Sequence, residues 1–309
     1  KTTIGYDGKI EGGILNGNLY FTGMGDPSLG SWRWKQTSEA AIKQQILAAL
    51  KSKKITKING NVIVDAGNWE TQATPRGWVW EDVGNYYGAG AWGINWHENQ
   101  YDLFLKPGKK VGDKVEIIET KPALQTAVLM SELTTAKEGS GDQSVIYLAE
   151  NSLTGTVRGT IPLGKETFIV KGSIPDAPGF FSKLLEELFA ENEITLMGKS
   201  KTNLHYLAEN KKLNYKASAI AVISSPSFDS INYWFLQKSV NLFGEAFIKT
   251  IAFEKAGIGS TDTGLAIMRN FWSAKGIEKS SLKIIDGSGL SPANRVTTHA
   301  LVTILQYAK

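Results

Sequence analysis

The sequence predicts an α+β fold spread over more than one domain, and three observations carry that prediction. The first third holds turn dipeptides between alternating runs. A middle stretch, residues 106–170, holds short strand-like runs between glycine turns. Beyond Tyr215 the apolar residues return at helical spacing. With 309 residues the chain has length for two or three domains and for substantial cores. Its 42% hydrophobic and 21% charged residues are ordinary for a globular chain.

The elements follow in order. Asp7-Gly8, Asn16-Gly17 and Asn59-Gly60 are dipeptides that favour type I′ hairpins, whose two central residues need positive φ. Around them the residues alternate, as in Leu19-Tyr20-Phe21-Thr22, so the region reads as antiparallel sheet. Residues 38–50 predict a helix with Ile42, Ile46, Leu47 and Leu50 on one face. Ile94-Asn95-Trp96 reads as strand. In the middle stretch, Pro107-Gly108 and residues 139–142 mark turns, and strands such as 115–118 and 144–147 are short. Residues 180–190 predict a helix carrying Phe181, Leu184, Leu185 and Leu188. After Tyr215 the character is helical, over 230–236, 242–251 and 265–272, the last stopping near Gly276. A strand over 282–285 then leads into a glycine-serine turn and a helix-like tail over 298–305.

Composition removes several function classes. The net charge of +4 is small and dispersed, which argues against a nucleic-acid partner; Lys51, Lys53 and Lys54 read as a solvated helix end. There is no run of 18 apolar residues and no signal-peptide pattern at Lys1. The chain has no cysteine, which fits an oxidising compartment without disulfides and equally a cytosolic protein. His97, His205 and His299 lack ligand spacing, so no metal is expected. Gly88-Ala89-Gly90-Ala91-Trp92-Gly93 matches G-x-G-x-x-G, but no helix follows it, so it is not a dinucleotide site. Asp229, Glu245 and the other carboxylates form no convincing glycosidase pair.

One block carries chemistry. Asp286-Gly287-Ser288-Gly289-Leu290-Ser291 puts two glycines and two serines between a strand and a helix, as an exposed rim does. With Asn294-Arg295-Val296-Thr297 after it, the block resembles the DGSGLS-x-x-N segment of class C low-molecular-mass penicillin-binding proteins. These are the D-alanyl-D-alanine carboxypeptidases and endopeptidases of bacterial cell walls. Further segments resemble that family in order: Gly25-Asp26-Pro27-Ser28-Leu29, Asn59-Gly60-Asn61-Val62-Ile63-Val64-Asp65, and Trp78-Val79-Trp80-Glu81-Asp82 followed by Tyr87-Gly88-Ala89-Gly90. Ser173-Ile174-Pro175-Asp176, Ser224-Ser225-Pro226 and the S-x-N-like Ser239-Val240-Asn241, with its Asn241-Leu242-Phe243-Gly244-Glu245 helix, complete the set.

The resemblance implies part of a serine transpeptidase (β-lactamase-like) domain with inserted β-rich domains. Residues 1–105 and 171–215 correspond to an inserted α/β domain, 106–170 to a small β-rich domain nested in it, and 216–309 to part of the transpeptidase domain. The family's S-x-x-K nucleophile is expected upstream of Lys1 and its K-T-G strand downstream of Lys309. Internally only Ser280-Ser281-Leu282-Lys283 fits S-x-x-K, at a place where the family has no nucleophile. Lys201-Thr202-Asn203 and Lys249-Thr250-Ile251 lack the glycine of K-T-G.

The implied chemistry is an acyl-enzyme path on peptidoglycan stem peptides, without cofactor and open to β-lactam antibiotics. Ser239 would relay a proton to the leaving amine, and Asn241 would hydrogen-bond the peptide backbone. Asp82 would receive a side-chain ammonium amid Trp78, Trp80, Tyr86 and Tyr87. Tyr87, Ser288, Gly289 and Arg295 complete the expected substrate contacts. Many relatives place an arginine after the DGSGLS block to read a side-chain carboxylate. Here that position is Pro292, leaving Arg295 as the candidate replacement, or else a substrate that is amidated or different there. The implied location is extracytoplasmic, periplasmic in a bacterium. Association with a membrane surface and the oligomeric state stay open. The competing reading is a non-catalytic homologue that holds peptidoglycan peptide or a partner.

Overall fold

The computed structural model describes residues 1–308. β1 (Thr2–Tyr6) continues into β2 (Lys9–Glu11), and β3 (Ile14–Asn16) into β4 (Leu19–Gly23). β2 and β3 form the hairpin, and the chain reverses at Gly12 and Gly13, both at positive φ (56° and 83°). The dipeptides expected to turn do not. Asp7-Gly8 and Asn16-Gly17 face each other across a break in the ladder, and of these four residues only Gly8 has positive φ. The Asp7 carboxylate there accepts hydrogen bonds from the Asn18 backbone N–H and the Tyr20 hydroxyl, both at 2.6 Å, so it ties two strands together instead of closing a turn.

α1 (Glu39–Ser52) starts at Ser38, whose hydroxyl oxygen accepts from the Ala41 N–H, and buries Ile42, Ile46, Ala49 and Leu50. β5 (Lys57–Ile58) and β6 (Val62–Asp65) flank Asn59-Gly60, which is not a hairpin either. β5 pairs parallel with β3, while β6 pairs parallel with β4 in another sheet. The front region is therefore mixed sheet and not purely antiparallel. After α2 (Trp80–Val83) the chain is irregular through Ile94-Asn95-Trp96, where strand was expected. Buried amides take the place of a ladder: Asn95 Oδ1 accepts from the Trp92 N–H and Asn99 Oδ1 from the Trp96 N–H, each at 2.9 Å.

β7 (Gln100–Lys106), β8 (Glu116–Lys121), β9 (Val128–Ser131), β10 (Thr134–Ala136), β11 (Val145–Tyr147), β12 (Thr154–Arg158), β13 (Thr160–Pro162) and β14 (Phe168–Ser173) form three small sheets. β14 returns antiparallel along β7, Gln100 opposite Ser173, and so closes this excursion where it began. α3 (Ala177–Glu191) is capped by Asp176, which accepts from the Gly179 N–H, and buries Phe181, Leu184, Leu185 and Leu188. β15 (Thr195–Leu196), β16 (Ser200–Thr202), α4 (Asn203–Ala208) and β17 (Ser218–Ile223) follow. β17 completes a five-stranded sheet of order β16-β6-β4-β1-β17. The chain after Tyr215 thus begins with a strand of the front sheet. Helices resume with α5 (Phe228–Lys238), α6 (Asn241–Ala256) and α7 (Thr261–Ala274).

The strand near 282–285 is shorter than expected. β18 (Leu282–Lys283) pairs antiparallel with β19 (Arg295–Val296), and the glycine-serine block is the loop between them, ahead of α8 (Thr298–Ala308). One apolar core runs from Ile4 through Leu103, Val157 and Phe181 to Ile223. A second cluster joins Trp34, Trp69 and Ala91 to Ile231, Leu242 and Phe243 on α5 and α6. It seats the two helices against the loops of residues 69–91, and their junction becomes the wall of a cleft.

Candidate functional site

α5 ends where Ser239 takes a left-handed conformation (φ 51°, ψ 48°), a position that usually falls to glycine. That one residue turns the chain, and α6 starts two residues later at Asn241. Ser239 is exposed; Asn241 is half-buried, and its Nδ2 donates to the Tyr87 carbonyl at 2.8 Å. A cleft of about 320 Å³ opens here between Ser239 and Asn241 on one side and Trp32, Arg33, Tyr86, Tyr87 and Lys171 on the other.

Asp82 sits on the one-turn α2, behind Tyr87. Partial burial holds the Asp82 carboxyl above its ordinary range, opposed by a hydrogen bond from the Tyr87 side chain and reinforced by the charge of Glu81. Burial likewise raises the Tyr87 phenol, with the Asp82 charge adding to it. Gly88 lets this turn close: a Cβ there would lie 2.0 Å from the Asp82 carbonyl oxygen. The aromatic setting expected around Asp82 is only partly present. Tyr86 meets Tyr87 edge-on at 5.3 Å. Trp80 turns to Tyr147 at 6.1 Å, and the Trp78 Nε1–H donates to Asp286 at 2.8 Å.

Asp286 organises the glycine-serine block. Its carboxylate is buried and accepts from the backbone N–H groups of Gly289 and Ser291, from Asn294 Nδ2 and from Trp78 Nε1. The Ser291 hydroxyl donates to the Gly77 carbonyl at 2.8 Å. The W-x-W-x-D segment and the DGSGLS segment, more than two hundred positions apart in sequence (78 and 286), are therefore pinned to each other. From the other side Glu245 on α6, with no exposed surface, accepts from the Gly287 N–H (3.0 Å) and the Ser288 N–H (2.8 Å). Gly287 and Gly244 touch backbone to backbone, since a Cβ on Gly287 would fall 2.3 Å from the Gly244 carbonyl oxygen. Asn241 and Glu245, four residues apart, share a face of α6, so one helix touches both the Tyr87 turn and the Ser288 turn.

Not every expected residue lies on the cleft. Ser239, Asn241 and Tyr87 line it; Asp82 touches it through Tyr87; Ser288 and Gly289 stand one helical turn further along α6 and do not line it. Arg295 is exposed on β19, with its Nη1 donating to the carbonyls of Pro292 and Asn294. Ser280 lies in a single 3₁₀ turn with its hydroxyl on Glu278, and Lys283 lies on β18, so the internal S-x-x-K does not share a helix face. Among the described residues no three His, Cys, Asp or Glu side chains group as metal ligands, and no helix is long and apolar enough to cross a membrane.

Sequence reasoning missed three buried charges, Glu98, Glu245 and Lys249, and the half-buried Arg33 that pairs with the first. Glu98, fully buried, takes Arg33 in a two-pronged ion pair, Nε to Oε1 at 2.7 Å and Nη2 to Oε2 at 3.1 Å, and accepts the Ser31 hydroxyl at 2.6 Å. His97, Glu98 and Asn99 all take positive φ (53°, 52°, 52°), a left-handed turn without glycine. Lys249, also fully buried, donates to the carbonyls of Gln72 (2.6 Å) and Ala91 (3.0 Å) and lies 3.4 Å from Glu70. Burial lowers the Lys249 amine and raises the Glu245 carboxyl to about 7, outweighing the hydrogen bonds that oppose the latter. Arg33, Glu98 and Lys249 had no local signal, because each finds its partner across long stretches of chain. Glu245 had one, its place four residues after Asn241.

Residues 1–309 match the D-Ala-D-Ala carboxypeptidase 3 (S13) family, and the chain belongs to that family. It is 23% identical over 310 residues to the D-alanyl-D-alanine carboxypeptidase DacB of Haemophilus influenzae, covering 99% of this chain and 60% of that one. It is 24% identical to a D-alanyl-D-alanine carboxypeptidase of Actinomadura sp. over 94% of this chain and 52% of that relative. A penicillin-sensitive carboxypeptidase A of Dictyostelium discoideum is 23% identical, over 96% of this chain and 56% of its own. The chain thus spans between about half and three fifths of the length of these curated relatives. The crystal structure of penicillin binding protein 4 (dacB) from Haemophilus influenzae superposes with a TM-score of 0.81 at 20% identity, over 99% of this chain and 64% of that one. The same protein complexed with a β-lactam gives 0.74, also at 20% identity, over 99% of this chain and 62% of that one. The multidomain α+β fold of the low-molecular-mass penicillin-binding proteins, expected from the motif order, is therefore this chain's fold.

Proposed function

We propose that the complete protein is a serine D-alanyl-D-alanine carboxypeptidase and endopeptidase that acts on peptidoglycan stem peptides outside the cytoplasm and is acylated by β-lactams. The nucleophile of this reading is an S-x-x-K serine outside residues 1–309. It attacks the peptide carbonyl, the lysine takes its proton, and a tetrahedral oxyanion collapses to an acyl-enzyme that water resolves. Ser239 passes a proton to the departing amine. Asn241 holds the peptide backbone, and Asp82 receives a side-chain ammonium of the substrate. This reading takes the three-part division that the resemblance implies: 1–105 with 171–215, then 106–170, then 216–309.

The observation that supports this most is the α5–α6 junction. It presents an exposed Ser239 hydroxyl beside an Asn241 amide in one cleft. Tying Asn241 Nδ2 to Tyr87 leaves the amide oxygen and one N–H for a peptide group. The relatives named carboxypeptidases, and the β-lactam complex of the related fold, add support. Intact-protein mass spectrometry of the complete protein with benzylpenicillin tests the reading. A stoichiometric adduct is expected there and none on residues 1–309 alone. Ser239→Ala should slow turnover by roughly 10²–10⁴, the usual loss of a proton-transfer group. A complete protein that forms no adduct and hydrolyses no D-alanyl-D-alanine peptide would leave the binding-only homologue in its place.

A further inference from the structure

We propose that the cleft at Ser239 and Asn241 binds a carboxylate of the peptide, with Arg33 as its fixed donor and Lys171 and Lys238 as the charges that draw it in. This deepens the function proposed above and rests on it. Three cations, Arg33, Lys171 and Lys238, line the cleft, and no carboxylate does. Their counter-charges lie outside the lining: Glu98 pairs with Arg33, and Asp102 stands 3.7 Å from Lys171. Three positive charges against two leave a net +1, and Lys238 has no ion-pair partner among the described residues. A cleft of one sign beside low-dielectric walls concentrates ligands of the other.

Arg33 is held as a recognition group is held. Glu98 grips one edge of the guanidinium, and its planes lie over the rings of Trp234 and Trp32, at 5.0 and 5.5 Å. The side chain is only 14% exposed, yet Nη1 has no protein acceptor among the described residues. Glu98 reaches its place through the left-handed turn at His97–Asn99, and strained backbone of that kind persists where the surroundings over-determine it, most often at ligand sites. Arg295, the candidate from sequence, has its Nη1 on its own backbone neighbours and lies off the cleft.

A stem peptide offers two carboxylates, one on the third-residue side chain and one at the chain end. Kinetics of the complete protein with three peptides separate them: one with both carboxylates free, one with the side-chain carboxylate amidated, one with the C-terminal carboxylate amidated. Arg33→Lys keeps the charge and removes the fork. It should raise KM about tenfold for peptides that carry the recognised carboxylate, leave kcat within about twofold, and leave the matching amide unchanged. The exposed double variant Lys171→Gln/Lys238→Gln should raise KM severalfold in the same pattern and flatten the dependence on salt. Equal losses for free and amidated peptides, or no change in either variant, would overturn the proposal. Failure of the underlying reading has another signature, a wild-type protein that neither forms the benzylpenicillin adduct nor turns over any peptide. Equilibrium binding of the same three peptides then decides the carboxylate question alone: preference for a free carboxylate supports it, and equal affinity for all three sinks it.

Discussion

Glu98 and Glu245 are two glutamates with no exposed surface, one on each side of the α5–α6 junction, and the fold resolves their charge in opposite ways. Glu98 meets a guanidinium and a hydroxyl, so a full positive charge answers its own. Glu245 has no ion-pair partner among the described residues; the Ser288 side chain and the backbone N–H groups of Gly287 and Ser288 hydrogen-bond to it. Lys249, one turn along α6, is committed to the carbonyls of Gln72 and Ala91 and to Glu70. The same side chain at the same burial therefore does different work. At Arg33 it orients a cation that faces a cleft. At Ser288 it shapes a turn while its own proton stays in play near neutral pH.

The largest test of that difference is Glu98→Gln. It leaves Arg33 with half its partner and should cost about 3–5 kcal/mol, the range for breaking a buried pair from one side. Urea denaturation of residues 1–309 reads this directly; a loss no larger than that of an exposed pair would mean the Arg33–Glu98 contact is not held as a buried pair. Next comes Asp82→Asn, in the complete protein. A charge-assisted hydrogen bond to a substrate ammonium is worth about 1.5–3 kcal/mol, or roughly 10- to 150-fold in kcat/KM. The loss should appear for substrates with a free third-residue amine and vanish for N-acetylated ones and for benzylpenicillin acylation. Equal losses for all three would make Asp82 structural.

Glu245→Gln should cost less, about 1–3 kcal/mol, because an amide can still accept one N–H. Its sharper signature is in pH. The folded carboxyl, raised to about 7, holds its proton more tightly than the unfolded one. Between the ordinary carboxylate range and about 7 the unfolded state binds fewer protons, so wild-type stability falls as pH rises through that window and levels above it. Glu245→Gln should remove this fall, whereas Glu98→Gln should leave it in place. Denaturation midpoints from pH 4 to 8 distinguish the two, and a fall that survives in Glu245→Gln would assign it elsewhere. The smallest effect is expected from Trp78→Phe, which deletes one donor among the several on Asp286, about 0.5–1.5 kcal/mol. A much larger loss would make the indole, and not Glu245, the main anchor of the turn.

The helices were legible because their apolar residues recur at 3.6-residue spacing: 38–50, 180–190, 230–236, 242–251 and 265–272 all fall within observed helices or their caps. The family was legible from motif order, which does not require the partners to be known. The turns failed for a tertiary reason. Asp7 takes Asn18, and Asn16 takes Asn59, so partners distant in sequence drew these side chains from the hairpin role. The site was half legible. Ser239, Asn241 and Asp82 sit in recognisable blocks, but Arg33 and Glu98 stand 65 residues apart, and nothing in Trp32-Arg33-Trp34 announces a buried carboxylate partner. Arg295 is exposed, with its Nη1 on the carbonyls of Pro292 and Asn294, and it does not line the cleft.

The left-handed turn at His97–Asn99 also bears on the order in which the chain assembles. Each non-glycine residue there gives up roughly 1–2 kcal/mol against right-handed backbone, more than the short-range Asn99 bonds to Trp96 and Asn95 offset at about 0.5–1.5 kcal/mol each. The ion pair and hydroxyl that answer the Glu98 charge arrive when Arg33 and Ser31 dock on it. The turn should therefore be unformed at the folding barrier and lock during the last descent to the native state. Substitutions at Glu98 would then accelerate unfolding and leave the refolding rate nearly unchanged, with φ-values near zero. The cleft wall would be the last part of the protein to become itself and the first to let go.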